Sequence, residues 1–308
     1  MRVLITGAFS SVGCALIQEL ANESLDVIAT DIAPILRLPL HYRFSSMDVR
    51  GQDPDRIIAH ERPDVVIHLS ATQPPSNRQL AHQVNVIGTR NVLDACIAHG
   101  VKRLVVTSSN AAYGYHADNP QPLTETAPLR GNAEYSYADH YRHIENILQQ
   151  ARIDHPQLEQ VVLRVATVLG AGVENIITAL FHRPHMLAVN GSDGPFSFIW
   201  TRDLTRVLVR AIATSPLGVF NVAADGVLSV HELAQRLGKP VLRLPVWGLK
   251  ALLTIAHTLH FTRHHPSHVS FLQYRPVLDN SALKEAFGYT PELTSLQVFD
   301  LWQKNAGL

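Results

Sequence analysis

The chain has 308 residues, with 26 Lys and Arg balanced by 26 Asp and Glu, and it is 46% apolar and 17% charged. That balance excludes a basic nucleic-acid face and an acidic tail, and the length suits two domains or one domain with an elaborated end. Cys14 and Cys96 both fall in helical patterns, which excludes a disulfide framework and points to reduced thiols in a cytoplasmic protein; with a first strand so close to Met1, no signal peptide is expected.

Val3-Leu4-Ile5 reads as a buried parallel strand, and the turn from Gly7 to Gly13 runs into Cys14–Leu20, which has helical periodicity. A strand, a glycine turn and a helix bring backbone N–H groups and the positive end of a helix dipole onto one anion, for which a pyrophosphate is the natural guest. Ser10 and Ser11 sit inside the turn. The Ser10 hydroxyl can donate to a phosphate, while its Cβ limits how closely the backbone approaches. Asp26–Asp31 reads as a second strand that ends in a carboxylate eighteen residues after Gly13. Such a carboxylate accepts the ribose hydroxyls and repels a 2'-phosphate, so NAD is expected over NADP.

Pro63–Ala71 gives a further strand, Val84–Leu93 a helix, Lys102–Ser109 a strand, and Tyr137–Gln150 a helix with Tyr137, Tyr141 and Glu145 on one face. Leu158–Val168 and Gly218–Ala223 supply the last strands. The alternation predicts an α/β fold, a doubly wound parallel sheet of the Rossmann type, with ligands beyond the C-terminal ends of its strands. Residues 1–170, with 197–224 returning to them, form the expected dinucleotide-binding domain; 171–196 and 225–308 form a smaller substrate lobe. The apolar stretch Val246–Ala256 is too short for a transmembrane span. It reads as a buried helix, an apolar lid over a substrate pocket, or an interfacial membrane contact. His257, His260, His264, His265 and His268 cluster without a nearby Cys, Asp or Glu, so no metal site is expected.

With Ser108-Ser109-Asn110-Ala111-Ala112-Tyr113-Gly114 at a strand end and Tyr137 eight residues before Glu145, the chain resembles the extended short-chain dehydrogenase/reductase family of NAD-dependent epimerases and dehydratases. The likeness continues through Thr6-Gly7, Asp31, Met47-Asp48-Val49, His68-Leu69-Ser70-Ala71, Asn85 with Gly88-Thr89, Leu163 to Gly170, Phe198 to Leu204, Phe220-Asn221-Val222 and Asp279 to Pro291. The resemblance implies cofactor contacts from Asp48 and Val49 at the adenine, from Leu69, Ser70 and Ala71 at the pyrophosphate side, and from Asn85 and Ala166. It implies Thr167 and Asn175 at the substrate, Ser109 as a hydrogen-bond donor to a substrate oxygen, and Tyr137 as the proton-transfer group. It also implies a homodimer through Leu80–His99 and Tyr137–Arg152.

Two positions depart from the family. Tyr141 stands where the family has a lysine that lowers the tyrosine pKa and binds the ribose. An unassisted phenol of pKa about 10 is only about 0.1% ionised at pH 7, which costs a base mechanism up to about a thousandfold and leaves carbonyl reduction less impaired than alcohol oxidation. His140 reads either as a substitute proton partner or as a solvated surface group. Phe196 replaces an arginine that sugar-nucleotide members use for the diphosphate; Arg183, Arg202 and Arg275 are the candidate replacements. Three functional readings follow: an oxidoreductase or epimerase acting on a small-molecule hydroxyl or carbonyl substrate such as a sugar nucleotide, the same chemistry on a more hydrophobic, sterol-like substrate, or an NAD-binding regulatory protein with reduced catalysis.

Overall fold

A computed structural model describes residues 1–33, 42–72, 77–213, 216–258 and 269–308. Its first part runs β1 (Arg2–Thr6), α1 (Ser11–Leu20), β2 (Asp26–Asp31), β3 (Arg43–Ser46), α2 (Asp53–Glu61), β4 (Val65–His68), α3 (Arg78–His82), a π-helical turn (Gln83–Ile87), α4 (Gly88–Ala98), β5 (Arg103–Ser109), a 3-10 turn (Asn110–Tyr113) and α5 (Ser136–Asp154). The remainder runs β6 (Glu159–Val165), β7 (Thr167–Leu169), α6 (Ile176–Phe181), β8 (Met186–Val189), β9 (Phe198–Trp200), α7 (Thr201–Ala213), β10 (Gly218–Val222), α8 (Val230–Leu237), β11 (Val241–Leu244), α9 (Val246–Thr258), α10 (Val269–Gln273), α11 (Ser281–Ala286) and α12 (Ser295–Ala306).

Seven strands form one parallel sheet in the order β3-β2-β1-β4-β5-β6-β10. The winding reverses between β1 and β4, and that crevice is where such sheets bind their ligands. Both faces are covered, which is why the strands read as unbroken aliphatic runs. Val3 and Ile5 enter one apolar cluster and Leu4 the other, as the two-residue period of a strand requires. The first cluster reaches Phe181, Phe198, Phe299 and Trp302, so the segments expected as a substrate lobe share a core with the nucleotide-binding half. That lobe has its own small sheet, in which β8 pairs with β11.

Three element boundaries differ from expectation. α1 starts at Ser11 rather than Cys14, because Ser10 caps it: the Ser10 Oγ accepts the Gly13 N–H at 3.1 Å. The predicted strand Leu158–Val168 splits at Ala166, whose N–H makes the last bond to β10, to Val222 O at 2.9 Å, before β7 pairs with β9 in a separate sheet. The helix predicted over Val84–Leu93 is part of a longer run from Arg78 to Ala98 that contains the π-helical turn around Asn85.

Beneath the strand ends lies a buried polar network. Arg164 and Glu145, with side chains 6% and 2% exposed, form an ion pair at 2.7 Å. The Ser108 hydroxyl donates to Glu145 at 2.6 Å, Arg164 donates to the Tyr113 hydroxyl at 2.7 Å, and Tyr113 donates to Asn221 Oδ1 at 2.8 Å. Glu145 therefore serves the join of α5 to β5, β6 and β10, although it shares a helix with Tyr137 and Tyr141. Removing its charge leaves a guanidinium buried without a counterion. Glu145→Gln is expected to cost about 3–5 kcal/mol in urea-induced unfolding; an unchanged midpoint would contradict this account of the network.

Candidate active site

Gly7 ends β1 with φ of +64°, and a Cβ there would meet Ser70 N at 2.7 Å; a Cβ on Gly13 would meet Ala8 O at 2.5 Å. Both glycines are therefore demanded by the close approach of the turn to the end of β4 and to α1. The Ser10 Oγ accepts within the cap and keeps its proton for a ligand. The first-turn amides of α1 have no intrahelical acceptors, no acidic residue sits in that turn, and Ser10, Ser11 and Val12 line the adjoining cleft. The Asp31 carboxylate is held beside the turn, with Oδ2 accepting from Phe9 N at 3.0 Å and Oδ1 from Ile32 N at 2.8 Å. Asp48 is paired with Arg50 at 2.6 Å, and Val49 is buried against Gly88. These residues fit a dinucleotide: an electropositive helix end for a pyrophosphate and a fixed carboxylate for a ribose.

A chain of hydrogen bonds closes the crevice from below. Ser70 N donates to Thr6 Oγ1 at 3.4 Å, and Thr6 Oγ1 lies 2.7 Å from His68 Nδ1. His68 Nε2 lies 3.0 Å from Thr89 Oγ1, which donates to Asn85 O at 2.6 Å. Because the Thr89 proton is committed to that carbonyl, the histidine donates through Nε2 and accepts the Thr6 proton at Nδ1. Burial pushes the His68 pKa down to about 4, so it is neutral at pH 7. The Asn85 side chain clasps Thr72, accepting from its N–H at 2.7 Å and donating to its carbonyl at 3.1 Å. The predicted cofactor contact Asn85 thus shapes the loop after β4 and does not line the cleft.

Beyond the strand ends lies a cleft of about 420 Å³ lined by Ser109, Tyr137, Tyr141, Ala166, Thr167 and Asn175, together with Leu69 and Ala71. Ser109 ends β5, where its Oγ accepts from Ala111 N at 3.2 Å. The rings of Tyr137 and Tyr141 meet edge to face, with centroids 4.8 Å apart. Burial raises the Tyr137 pKa above the ordinary phenol value, and the hydroxyls of Ser109 and Tyr141 act on it in the opposite sense as hydrogen-bond partners that favour the phenolate. Tyr141 is pushed well above that value, first by burial. Both phenols are therefore neutral at pH 7.

His140 matches neither reading made of it. It is buried beside His82, with ring centroids 5.5 Å apart, its pKa is pushed down to about 4, chiefly by burial, and it is not among the cleft-lining residues. Asn175 caps α6 and ties it to Val168 O at 2.9 Å while facing the cleft. Phe196 and Arg275 form a unit outside the cleft lining: the Arg275 guanidinium lies 3.8 Å from the Phe196 ring centroid and donates to Gly194 O at 3.1 Å. Burial lowers its pKa to about 9. A second cavity of about 1050 Å³ adjoins the cleft through Tyr135, Asn175, Ile176 and Phe271, and Leu180, Leu187, Leu249, Leu253 and Trp302 give it apolar walls. Arg183 lines it, and Arg202 is exposed on α7.

Sequence reasoning passed over Tyr115, Tyr135 and Phe271, which meet between cleft and cavity, with Tyr115 and Phe271 at 5.2 Å and Tyr135 and Phe271 at 5.8 Å. Only the aromatic spacing around Tyr137 hinted at them. The histidine cluster from His257 to His268 falls outside the described side chains. Among the described residues, no group of three or more His, Cys, Asp or Glu is placed to hold a metal, and no helix is long and apolar enough to cross a membrane.

Residues 3–223 match the NAD dependent epimerase/dehydratase family. An uncharacterized protein of Mycobacterium tuberculosis is 28% identical over 99% of this chain and 84% of its own length. The 3beta-hydroxysteroid-dehydrogenase/decarboxylase isoform 2 of Arabidopsis thaliana is 24% identical over 81% of this chain and 49% of its own. Among solved structures, the UDP-glucose 4-epimerase of Thermus thermophilus in complex with NAD is similar with a TM-score of 0.78 at 22% identity, over 99% of this chain and 98% of that one.

The neutral His68 makes stability depend on pH. Its folded pKa of about 4 lies below the ordinary value of 6.5, so the unfolded chain binds the proton first. The His68 contribution is whole above pH 6.5, is lost as pH falls toward 4, and amounts to about 3 kcal/mol. Urea unfolding between pH 7.5 and pH 4 is expected to show this decline, and His68→Gln a shallower one; equal slopes would contradict the assignment.

Proposed function

The chain belongs to the NAD dependent epimerase/dehydratase family, and we propose that it is an oxidoreductase that interconverts a hydroxyl and a carbonyl with Tyr137 held as a neutral acid. The observation that carries this reading is the pair of uncharged phenols on α5, Tyr137 half-buried and Tyr141 buried, facing Ser109 across the cleft.

When bound, NAD supplies the hydride acceptor or donor chemistry of the reaction. Ser10, Ser11, Gly7, Gly13 and the first-turn amides of α1 hold its pyrophosphate, and Asp31 accepts the ribose hydroxyls. Asp48 and Val49 face the adenine, and Leu69, Ser70, Ala71 and Ala166 complete the wall. Ser109 donates a hydrogen bond to the substrate oxygen, and Tyr137 passes its proton to that oxygen as negative charge develops there. Tyr141 donates to the Tyr137 oxygen and so stabilises the phenolate by a hydrogen bond, in the position where the family has an ammonium. A hydrogen bond stabilises charge less than a cation does, which favours carbonyl reduction over alcohol oxidation at neutral pH.

The substrate has an apolar body. The aliphatic and aromatic walls of the larger cavity support this, as does the conversion of position 196 to a phenylalanine beneath Arg275. A second reading, a sugar nucleotide, draws on the buried Arg275, whose Nε has no hydrogen-bond partner among the described residues and which would suit a diphosphate. Thr167 and Asn175 contact the substrate in either case. The proposed assembly is a homodimer through the segments Leu80–His99 and Tyr137–Arg152.

Single-turnover oxidation of bound NADH against hydrophobic ketones and against UDP-sugar ketones tests the reading. Turnover with the first class is expected, and NADH binding without turnover of either would leave the regulatory reading. Tyr137→Phe is expected to lose at least about a hundredfold in rate. For alcohol oxidation, the rate is expected to climb with pH past about 10 without a plateau. Tyr141→Lys is expected to shift that rise to lower pH and to increase oxidation at pH 8 at least about tenfold; a plateau near neutral pH in the unmodified protein would refute the neutral-acid assignment.

A further inference from the structure

α9 is apolar on two faces. Leu249 and Leu253 line the larger cavity, whereas Trp247, Leu252 and Ile255 are 76%, 56% and 59% exposed. Trp247, Ala251 and Ile255 recur at intervals of four residues, Gly248 and Leu252 lie beside them, and Lys250 and Thr254 edge the stripe. An exposed tryptophan with two large aliphatics on one stripe is more than the scattered apolar residues normal on a soluble surface.

The charge in the sequence on either side of this stripe has one sign. Although the whole chain is balanced, residues 233–278 contain no Asp or Glu and carry Arg236, Lys239, Arg243, Lys250, Arg263 and Arg275. Arg236 is paired with Asp300 and Arg275 is buried, while Arg243 and Lys250 are exposed beside the helix in sequence. An apolar stripe with an exposed tryptophan, in a stretch of sequence that holds basic and no acidic residues, is complementary to an interface that is apolar inside and anionic at its surface. We infer that α9 docks the protein onto the surface of an anionic lipid bilayer, lying in the plane of the interface with Trp247, Leu252 and Ile255 inserted. In that orientation, Leu249 and Leu253 keep the cavity wall on the side of the helix away from the lipid.

The test uses the full chain with vesicles of phosphatidylglycerol and phosphatidylcholine, compared with vesicles of phosphatidylcholine alone. Trp302 is buried and Trp200 half-buried, so Trp247, 76% exposed, is the most solvent-exposed of the three tryptophans and the one whose emission a lipid surface changes most. Co-flotation with the anionic vesicles and a blue shift of the emission are expected, both weakened by added salt. The double variant Leu252→Glu, Ile255→Glu is expected to keep the melting temperature and to bind anionic vesicles at least about tenfold more weakly. Absence of vesicle binding by the unmodified chain, or binding undiminished in the variant, would overturn the inference. So would a dimer in solution that the variant dissociates without any vesicle binding, since the stripe then covers a second copy. The assay needs neither cofactor nor substrate, so its failure leaves the proposed chemistry standing.

Discussion

The close approach of β1 to β4 at the reversal of the sheet is the constraint on which the site depends. Gly7 passes so near Ser70 that no side chain fits, and the hydrogen-bond chain through Thr6, His68 and Thr89 to the Asn85 carbonyl ties the two strand ends to the π-helical turn. Each link uses its one proton once, so the neutral histidine is a requirement of the network and burial enforces it. The positions of the glycine turn, of the loop from Leu69 to Thr72 and of α4 all follow from that closure.

Across the crevice, no Lys or Arg lines the cleft among the described residues. The half-buried Tyr137 packs edge to face on the buried Tyr141, and the ion pair of Arg164 with Glu145 lies below the strand ends, holding α5 to the sheet. Arg275 lies behind Phe196 and donates to backbone carbonyls. Hydroxyls and aromatic rings surround Tyr137 in the cleft, which also takes in Glu174 where it opens toward the larger, mostly apolar cavity. Such an environment penalises phenolate formation and suits proton donation by Tyr137 to a substrate with an apolar body.

The fold was legible because buried parallel strands leave continuous aliphatic runs such as Val3-Leu4-Ile5, and because Gly7 and Gly13 mark the turn between strand and helix and Asp31 ends the next strand, although the glycines are six apart with Ser10 between them. Residues on one element, such as Tyr137 and Tyr141, could be placed on one face from the helical period alone. Contacts between distant segments were not legible. Nothing local joins Phe271 to Tyr115 and Tyr135, places Arg275 over Phe196, or turns the chain out of the sheet at Ala166. The reference phenol pKa of about 10 also understated the case, since only the packing around Tyr137 shows that burial raises it further.

The proposed function depends on the glycine turn and the Asp31 carboxylate accepting NAD and on the cleft presenting Tyr137 to its reactive end. Calorimetric titration of the purified chain with NADH and NADPH addresses this most directly. NADH is expected to bind at least about tenfold more tightly than NADPH, and Asp31→Asn to narrow that difference. Binding of neither nucleotide, or preference for NADPH, would contradict the account.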